Sequence, residues 1–161
     1  MNGIPRGRRA STPIRVMLAD QLGNAIDGGW WPHTSAMAAE LPELISALHE
    51  PLGEIDAIRI NWSPLEGQLD LETIVQGARL SLPGGQHRRP RLMVVVGRRA
   101  QAKLLVVPSL TSRALGSTVL RTVAGLGPAE VSGDGRILET ACAVLRLAES
   151  ESATWCASLD L

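Results

Sequence analysis

Phenylalanine and tyrosine are absent from this chain of 161 residues, and four tryptophans make up its whole aromatic inventory. A protein so poor in rings has no stacking platform for single-stranded nucleic acid, which needs aromatics set among basic residues. Lysine is nearly missing as well: Lys103 stands alone against fifteen arginines. That bias points to a genome rich in G and C more than to phosphate binding. Cysteine occurs only as Cys142 and Cys156, at no metal or redox spacing, so neither a disulfide framework nor a zinc site is expected. Apolar runs are short, Leu92 to Val96 and Leu104 to Val107, against the ~20 residues that a membrane helix needs. The basic N-terminus has no apolar segment behind it and does not read as a secretory signal. A cytoplasmic protein without a membrane partner is expected.

Catalytic signatures are missing too. The chain holds no Gly-x-Ser-x-Gly elbow, phosphate-binding loop or Gly-x-Gly-x-x-Gly fingerprint, and His33, His49 and His87 fall in no metal pattern. Gly125-Leu126-Gly127 follows a helical stretch, which is the wrong context for a dinucleotide. Asp27, His33 and Glu40 are the one conceivable acid–base set, and nothing in their spacing fixes a mutual geometry. No enzyme activity, cofactor or metal is expected.

What is present suits one globular domain: 45% hydrophobic residues, 20% charged and a formal net charge of +0. The charges nevertheless come in blocks. Residues 20–72 carry ten acids and only Arg59, whereas residues 73–129 carry nine basic residues and no acid. Within the second block, Arg88, Arg89, Arg91, Arg98 and Arg99 form a candidate basic patch. A weak nucleic-acid contact through residues 79–103 is one alternative, and neutralisation by the acidic block within the fold is the other.

Along the chain, residues 1–13 lack periodicity and read as a flexible basic arm. Ile14, Val16 and Leu18 alternate with polar or flexible neighbours as a first strand. Met37, Leu41, Leu44, Ile45 and Leu48 recur at helical steps after a cap at Thr34 or Ser35, with a kink or break expected at Pro42 and a stop at Pro51 and Gly53. Ile58, Ile60 and Trp62 alternate as a second strand. Residues 69–82 read as a hairpin turning at Gln76-Gly77. Arg91 to Val96 and Ala102 to Val107 are two central strands, continuous in apolar character. Two helices follow, the first capped at Ser109 or Thr111 with Leu115, Val119 and Val123 on one face. The second, capped at Asp134, carries Ile137, Leu138, Ala141, Cys142, Leu145 and Ala148 on one stripe. The expected class is α+β: two layers, a mostly antiparallel sheet of five or six strands, an N-terminal kinked helix and two C-terminal helices on one face. Residues 14–149 would be the domain and 150–161 a polar tail. The expected core is Val16, Leu18, Leu41, Leu44, Ile45, Leu48, Ile58, Ile60, Val94, Val96, Leu105, Val107, Leu138 and Leu145.

One stretch stands out. Asp27-Gly28-Gly29-Trp30-Trp31-Pro32-His33 couples a turn signal to half of the aromatic inventory. Adjacent extended residues point to opposite sides, so one indole would enter the core while the other stays near the surface. On that basis Asp27, Trp30, Trp31, Pro32, His33 and Trp62 are the candidate binding residues of a small regulatory or interaction protein, with an unknown protein or small ligand as partner and a homodimer conceivable. The opposing reading is that both indoles plug a core short of bulk. A small-molecule pocket between sheet and helix is a further alternative. Asp27 to Pro32, Glu40-Leu41-Pro42 and Leu104 to Pro108 together resemble a family of actinobacterial proteins known as a domain of unknown function, over roughly Ile14 to Gly125. His33 stands where that pattern would carry Arg. The resemblance implies no activity, cofactor or partner.

Overall fold

The computed structural model describes residues 13–63, 70–80, 89–126 and 135–159. Five strands form one sheet in the order β1-β2-β5-β4-β3. They are β1 (Val16–Leu18), β2 (Gly28–Trp30), β3 (Ile55–Ile60), β4 (Arg91–Gly97) and β5 (Gln101–Val106). Neighbours run antiparallel except β2 and β5, which are parallel. Among the described residues four helices complete the order: α1 (Met37–Leu52) between β2 and β3, α2 (Leu71–Leu80) between β3 and β4, then α3 (Arg113–Val123) and α4 (Gly135–Leu159). The class is thus α+β with a mostly antiparallel sheet, one N-terminal helix and two C-terminal ones.

The helices divide between the two faces of the sheet, which makes three layers where two are expected from the element order. Leu44, Leu48 and Leu52 of α1 pack with Trp30, Met93, Val95, Leu104 and Val106 on one face. On the other face α2, α3 and α4 pack with Trp31, Leu92, Leu105 and Val107. A strand buried on both sides has no polar face to alternate with, hence the unbroken apolar runs of β4 and β5.

Residues 71–80 are a helix, not half of a hairpin. Leu71, Ile74 and Val75 are buried at helical spacing, and the Asp70 carboxylate accepts the Thr73 N–H at 2.7 Å ahead of the first turn. The bond to that N–H is the main reason why the Asp70 carboxyl lies below its usual range. The short apolar pattern suits either element, and packing against α4 selects the helix. α4 likewise runs to Leu159, into the stretch expected as a tail. Its extension is anchored by Ser152, buried at 2% exposure, whose Oγ donates to the Ala25 carbonyl at 2.6 Å, and by Trp155 against the core.

α1 is one helix with Pro42 and Pro51 inside it. Its N-cap, Ala36, has no side-chain cap; Thr34 Oγ1 instead accepts the Ala36 N–H, and Gly53 at φ +81° ends the helix. The cap of α3 is Ser112, three residues past the first expected candidate. Of the expected core, Leu44, Leu48, Val94, Leu105 and Val107 are buried, while Val16, Leu18, Leu41, Ile58, Val96 and Leu145 are half-buried. Ile45, Ile60 and Leu138 are exposed. Ile60 is open in a gap between the end of β3 and the first turns of α1, and that gap shapes the site described next.

Candidate functional site

The Asp-Gly-Gly-Trp-Trp-Pro stretch is a structural lock. Asp27 is 1% exposed, and its carboxylate accepts N–H groups from Gly23 at 2.9 Å, Asn24 at 2.8 Å and Lys103 at 3.0 Å. Its own N–H donates to the Lys103 carbonyl at 2.7 Å. Asp27 therefore ties the β1–β2 connection to β5. Gly28 follows because a Cβ there would sit 2.0 Å from the Met17 carbonyl oxygen of the neighbouring strand. Trp30 and Trp31 do point to opposite faces, but both faces are covered, so both indoles are buried, at 1% and 4% exposure. Trp31 donates Nε1–H to the Ser109 carbonyl at 3.4 Å, and its ring occupies space that only Gly116 leaves open, where a Cβ would approach within 2.4 Å.

Arg15 closes this corner. Its guanidinium carbon lies 3.7 Å from the Trp31 ring centroid, Nε donates to the Trp31 carbonyl at 3.1 Å and an Nη to the buried Pro32 carbonyl at 2.9 Å. Burial lowers the Arg15 pKa, with Glu40 opposing and Arg113 adding to the shift. His33 is half-buried: its N–H donates to Glu40 Oε1 at 2.8 Å and its Nε2 lies 2.9 Å from the Pro13 carbonyl. Glu40 Oε2 accepts from the Thr34 N–H and Oγ1–H, both at 2.7 Å. Burial pushes the Glu40 carboxyl up, but those bonds from Thr34 and His33 outweigh it and leave the pKa below its usual value. With Asp27 locked in the sheet and Glu40 holding the chain ahead of α1, the conceivable acid–base set is not assembled. Trp31 is no recognition surface either, and this corrects the expectation that one indole stays accessible.

The candidate basic patch is also dispersed. Arg89 and Arg91 lie at the start of β4 and Arg98 and Arg99 beyond its end, ~20 Å apart at the rise of an extended strand. Arg98 pairs with Glu54 at 3.7 Å and Asp56 at 3.6 Å. Arg99 donates to the Glu50 carbonyl and to the His49 carbonyl, where it satisfies the C-terminal end of α1. Arg89 pairs with Glu151 at 3.7 Å and donates to the Asn61 carbonyl at 3.2 Å. Arg88 lies outside the described residues. The acidic block of residues 20–72 thus pairs with Arg98 and the C-terminal acids with Arg89, and the four described arginines do not form one face.

Trp62 is in a different place from the tryptophan pair. β5 and β4 separate β2 from β3, so Trp62 is removed from Trp31 by three strand spacings, ~14 Å. It lies just past β3, where Ile60 pairs with Met93 and the next same-side position brings Trp62 toward Arg91. The Arg91 guanidinium carbon is 5.1 Å from the Trp62 ring centroid. Between this strand end and the first turns of α1 runs an open groove of about 520 Å³. Ile58, Ile60 and Met93 form its floor, Met37, Ala38 and Leu41 its wall, and Trp62 with Arg91 its end. The sequence places Ile58, Ile60 and Trp62 on one face. What it leaves out is that α1, which carries Met37 and Leu41, does not close over them.

A second concavity of about 450 Å³, bounded by Gly135, Leu138, Glu139, Cys142 and Arg146, is drawn from α4 alone. Cys142 and Cys156 are both free thiols. Among the described residues no three His, Cys, Asp or Glu side chains are grouped as a metal site would require, and no helix is long and apolar enough to cross a membrane.

Residues 15–123 match the model of a protein family described as a family of unknown function (DUF5994). The matched segment runs from Arg15 to the end of α3 and so contains the lock and the groove together. No curated protein and no solved structure matches the chain.

Proposed function

We propose that this protein, which belongs to the DUF5994 family, is a cytoplasmic, non-catalytic binding protein that takes a small apolar ligand into the groove between α1 and the β3–β4 edge. The groove's form carries the reading. Its volume of about 520 Å³ falls within the span of roughly 300 to 1,000 Å³ typical of small-molecule clefts. Ile60, at 40% exposure, leaves apolar surface open on a floor that continues into the core through Met93. Trp62 adds a large rigid contact surface at one end, as indoles do at binding hot spots. The tryptophan pair, by contrast, supports the fold, and this moves the recognition site from Trp31 to Trp62. An actinobacterial origin accords with the arginine-for-lysine bias of the composition.

The test uses N-phenyl-1-naphthylamine, a neutral probe that fluoresces in apolar surroundings. The wild-type protein should bind one equivalent saturably, and Ile60→Glu should abolish binding while its thermal unfolding stays within a few degrees. Absence of saturable binding, or equal binding by the folded variant, would refute the site.

A further inference from the structure

The wall of the groove is held less firmly than its floor, and this bears on how the site just proposed takes its ligand. Five lining residues, Ser35, Ala36, Met37, Ala38 and Leu41, come from the bend ahead of α1 and from its first turns. The fully buried anchors of α1, Leu44, Leu48 and Leu52, all lie after Pro42. Before it, Met37 and Leu41 are half-buried at the margin of the same core, and Ser35, Ala36, Ala38 and Ala39 are exposed.

Pro42 weakens the joint between these two parts. It has no N–H to give to the Ala38 carbonyl, its ring presses on that carbonyl, and it disfavours helical geometry at Leu41. The N-cap, Ala36, supplies no side-chain bond. Glu40 instead bonds within the segment: it accepts the N–H of His33 and both the N–H and the hydroxyl of Thr34, so residues 33–40 hold together as one piece. On the near side Arg15 fixes Pro32 by donating to its carbonyl at 2.9 Å. The bond from His33 Nε2 to the Pro13 carbonyl lies next to that fixed end and does not brace the other. A hydrogen-bonded piece thus runs from a fixed end at Pro32 to a weakened helical joint at Pro42.

From this construction we infer that residues 33–41 are a flap that closes over the ligand by bending at Pro42. The inference rests on the groove being the binding site. Ile60, 40% exposed, lies open across from the flap, and an apolar ligand seated on Ile58 and Ile60 gives Met37 and Leu41 a surface to come down on. Closure then removes apolar area from water on both sides of the ligand, which is what drives it.

Two measurements test the flap. In the free wild-type protein, the amides of Glu43 and Ile45, whose helical bonds cross the joint, should exchange roughly fivefold or more faster than those of His49 and Glu50, after correction for intrinsic rates, because the joint lacks one hydrogen bond. Pro42→Ala restores that donor and stiffens the joint. Its thermal midpoint should rise while its dissociation constant for N-phenyl-1-naphthylamine increases roughly fivefold, through faster dissociation in stopped flow, since one net hydrogen bond now opposes closure. A stabilising change that weakens binding is not what a passive wall would give. Equal exchange on the two sides of the helix, or a folded Pro42→Ala that binds as tightly as wild type or tighter, would overturn the flap while leaving the groove as a site. If the wild type does not bind the probe at all, the groove itself fails. The exchange measurement needs no variant and decides the matter should Pro42→Ala disturb the fold.

Discussion

Removing the Asp27 carboxylate should weaken the fold far more than removing an ordinary loop acid. Three N–H groups converge on it at 2.8 to 3.0 Å, and Asp27 itself is 1% exposed. Asp27→Asn can keep the Gly23 and Asn24 bonds through its one oxygen, but it sets an amide NH₂ against the Lys103 N–H. One charge-assisted bond is lost and a donor is left unpaired, which costs about 1–3 kcal/mol. Asp27→Ala loses all three bonds. The Gly23 and Asn24 donors lie on an exposed turn that water can reach, whereas the Lys103 donor lies in a central strand, so the total is on the order of 3–5 kcal/mol. A domain with about 5–15 kcal/mol in hand can survive this only narrowly. Urea unfolding followed by far-UV circular dichroism would measure it: at a slope of about 2 kcal/mol per molar, Asp27→Ala should lower the midpoint by about 2 M without changing the slope. The order wild type, Asn, Ala is itself part of the expectation. A loss below about 1 kcal/mol for Ala, or Asn equal to wild type, would refute the view that this side chain holds the loop to β5.

Further outcomes follow from the same packing. Gly116→Ala should cost about 1–3 kcal/mol or abolish folding, because its methyl group would meet the Trp31 ring at 2.4 Å; thermal unfolding unchanged from wild type would show that the ring can move aside. In acrylamide quenching of native fluorescence, which comes from tryptophan alone, Trp62→Leu and Trp155→Leu should each reduce the accessible fraction, while a folded Trp31→Leu should leave that fraction intact. Loss of the accessible component in Trp31→Leu would contradict the burial of that indole. The depressed Glu40 pKa sets a pH dependence: its contribution is fully present above the ordinary value of 4.5 and lost as pH falls through the lower folded value. The stability gap between wild type and Glu40→Gln should therefore be constant at neutral pH and narrow below about 4.5; a gap independent of pH would remove the ionic origin of the hold on His33 and Thr34.

The helical stripe of α1, the alternation of β3 and the apolar runs of β4 and β5 were all legible in the sequence, because periodicity reports which side of an element is buried. The turn expected at Asp27-Gly28-Gly29 was not: Gly28 and Gly29 are strand β2, and the chain bends ahead of them, with Gly23 at φ +103°. The hairpin expected over 69–82 was not correct, since Leu71, Ile74 and Val75 fit a short apolar run of either kind, and only α4 lying alongside decides for the helix. The end of α4 was missed for a related reason. Ser152 and Trp155 do not extend a strong apolar stripe, and what buries them is the Ala25 carbonyl and the core, far away in the chain.

Local chemistry by itself determined which residues alternate and that Trp30 and Trp31 must face opposite ways. Only the tertiary structure decided what each of them faces. Sequence periodicity marks a face without naming what covers it, so the choice between one covered side of the sheet and two stayed open until α1 was seen against Trp30 and α3 against Trp31. The same holds for the groove. Ile58, Ile60, Trp62, Met37 and Leu41 each carry an ordinary core signature, and the space among them lies where α1 crosses the sheet without closing over Ile60. That crossing is set by the packing of Leu44, Leu48 and Leu52 on the central strands, a contact between segments far apart in sequence that no local pattern encodes.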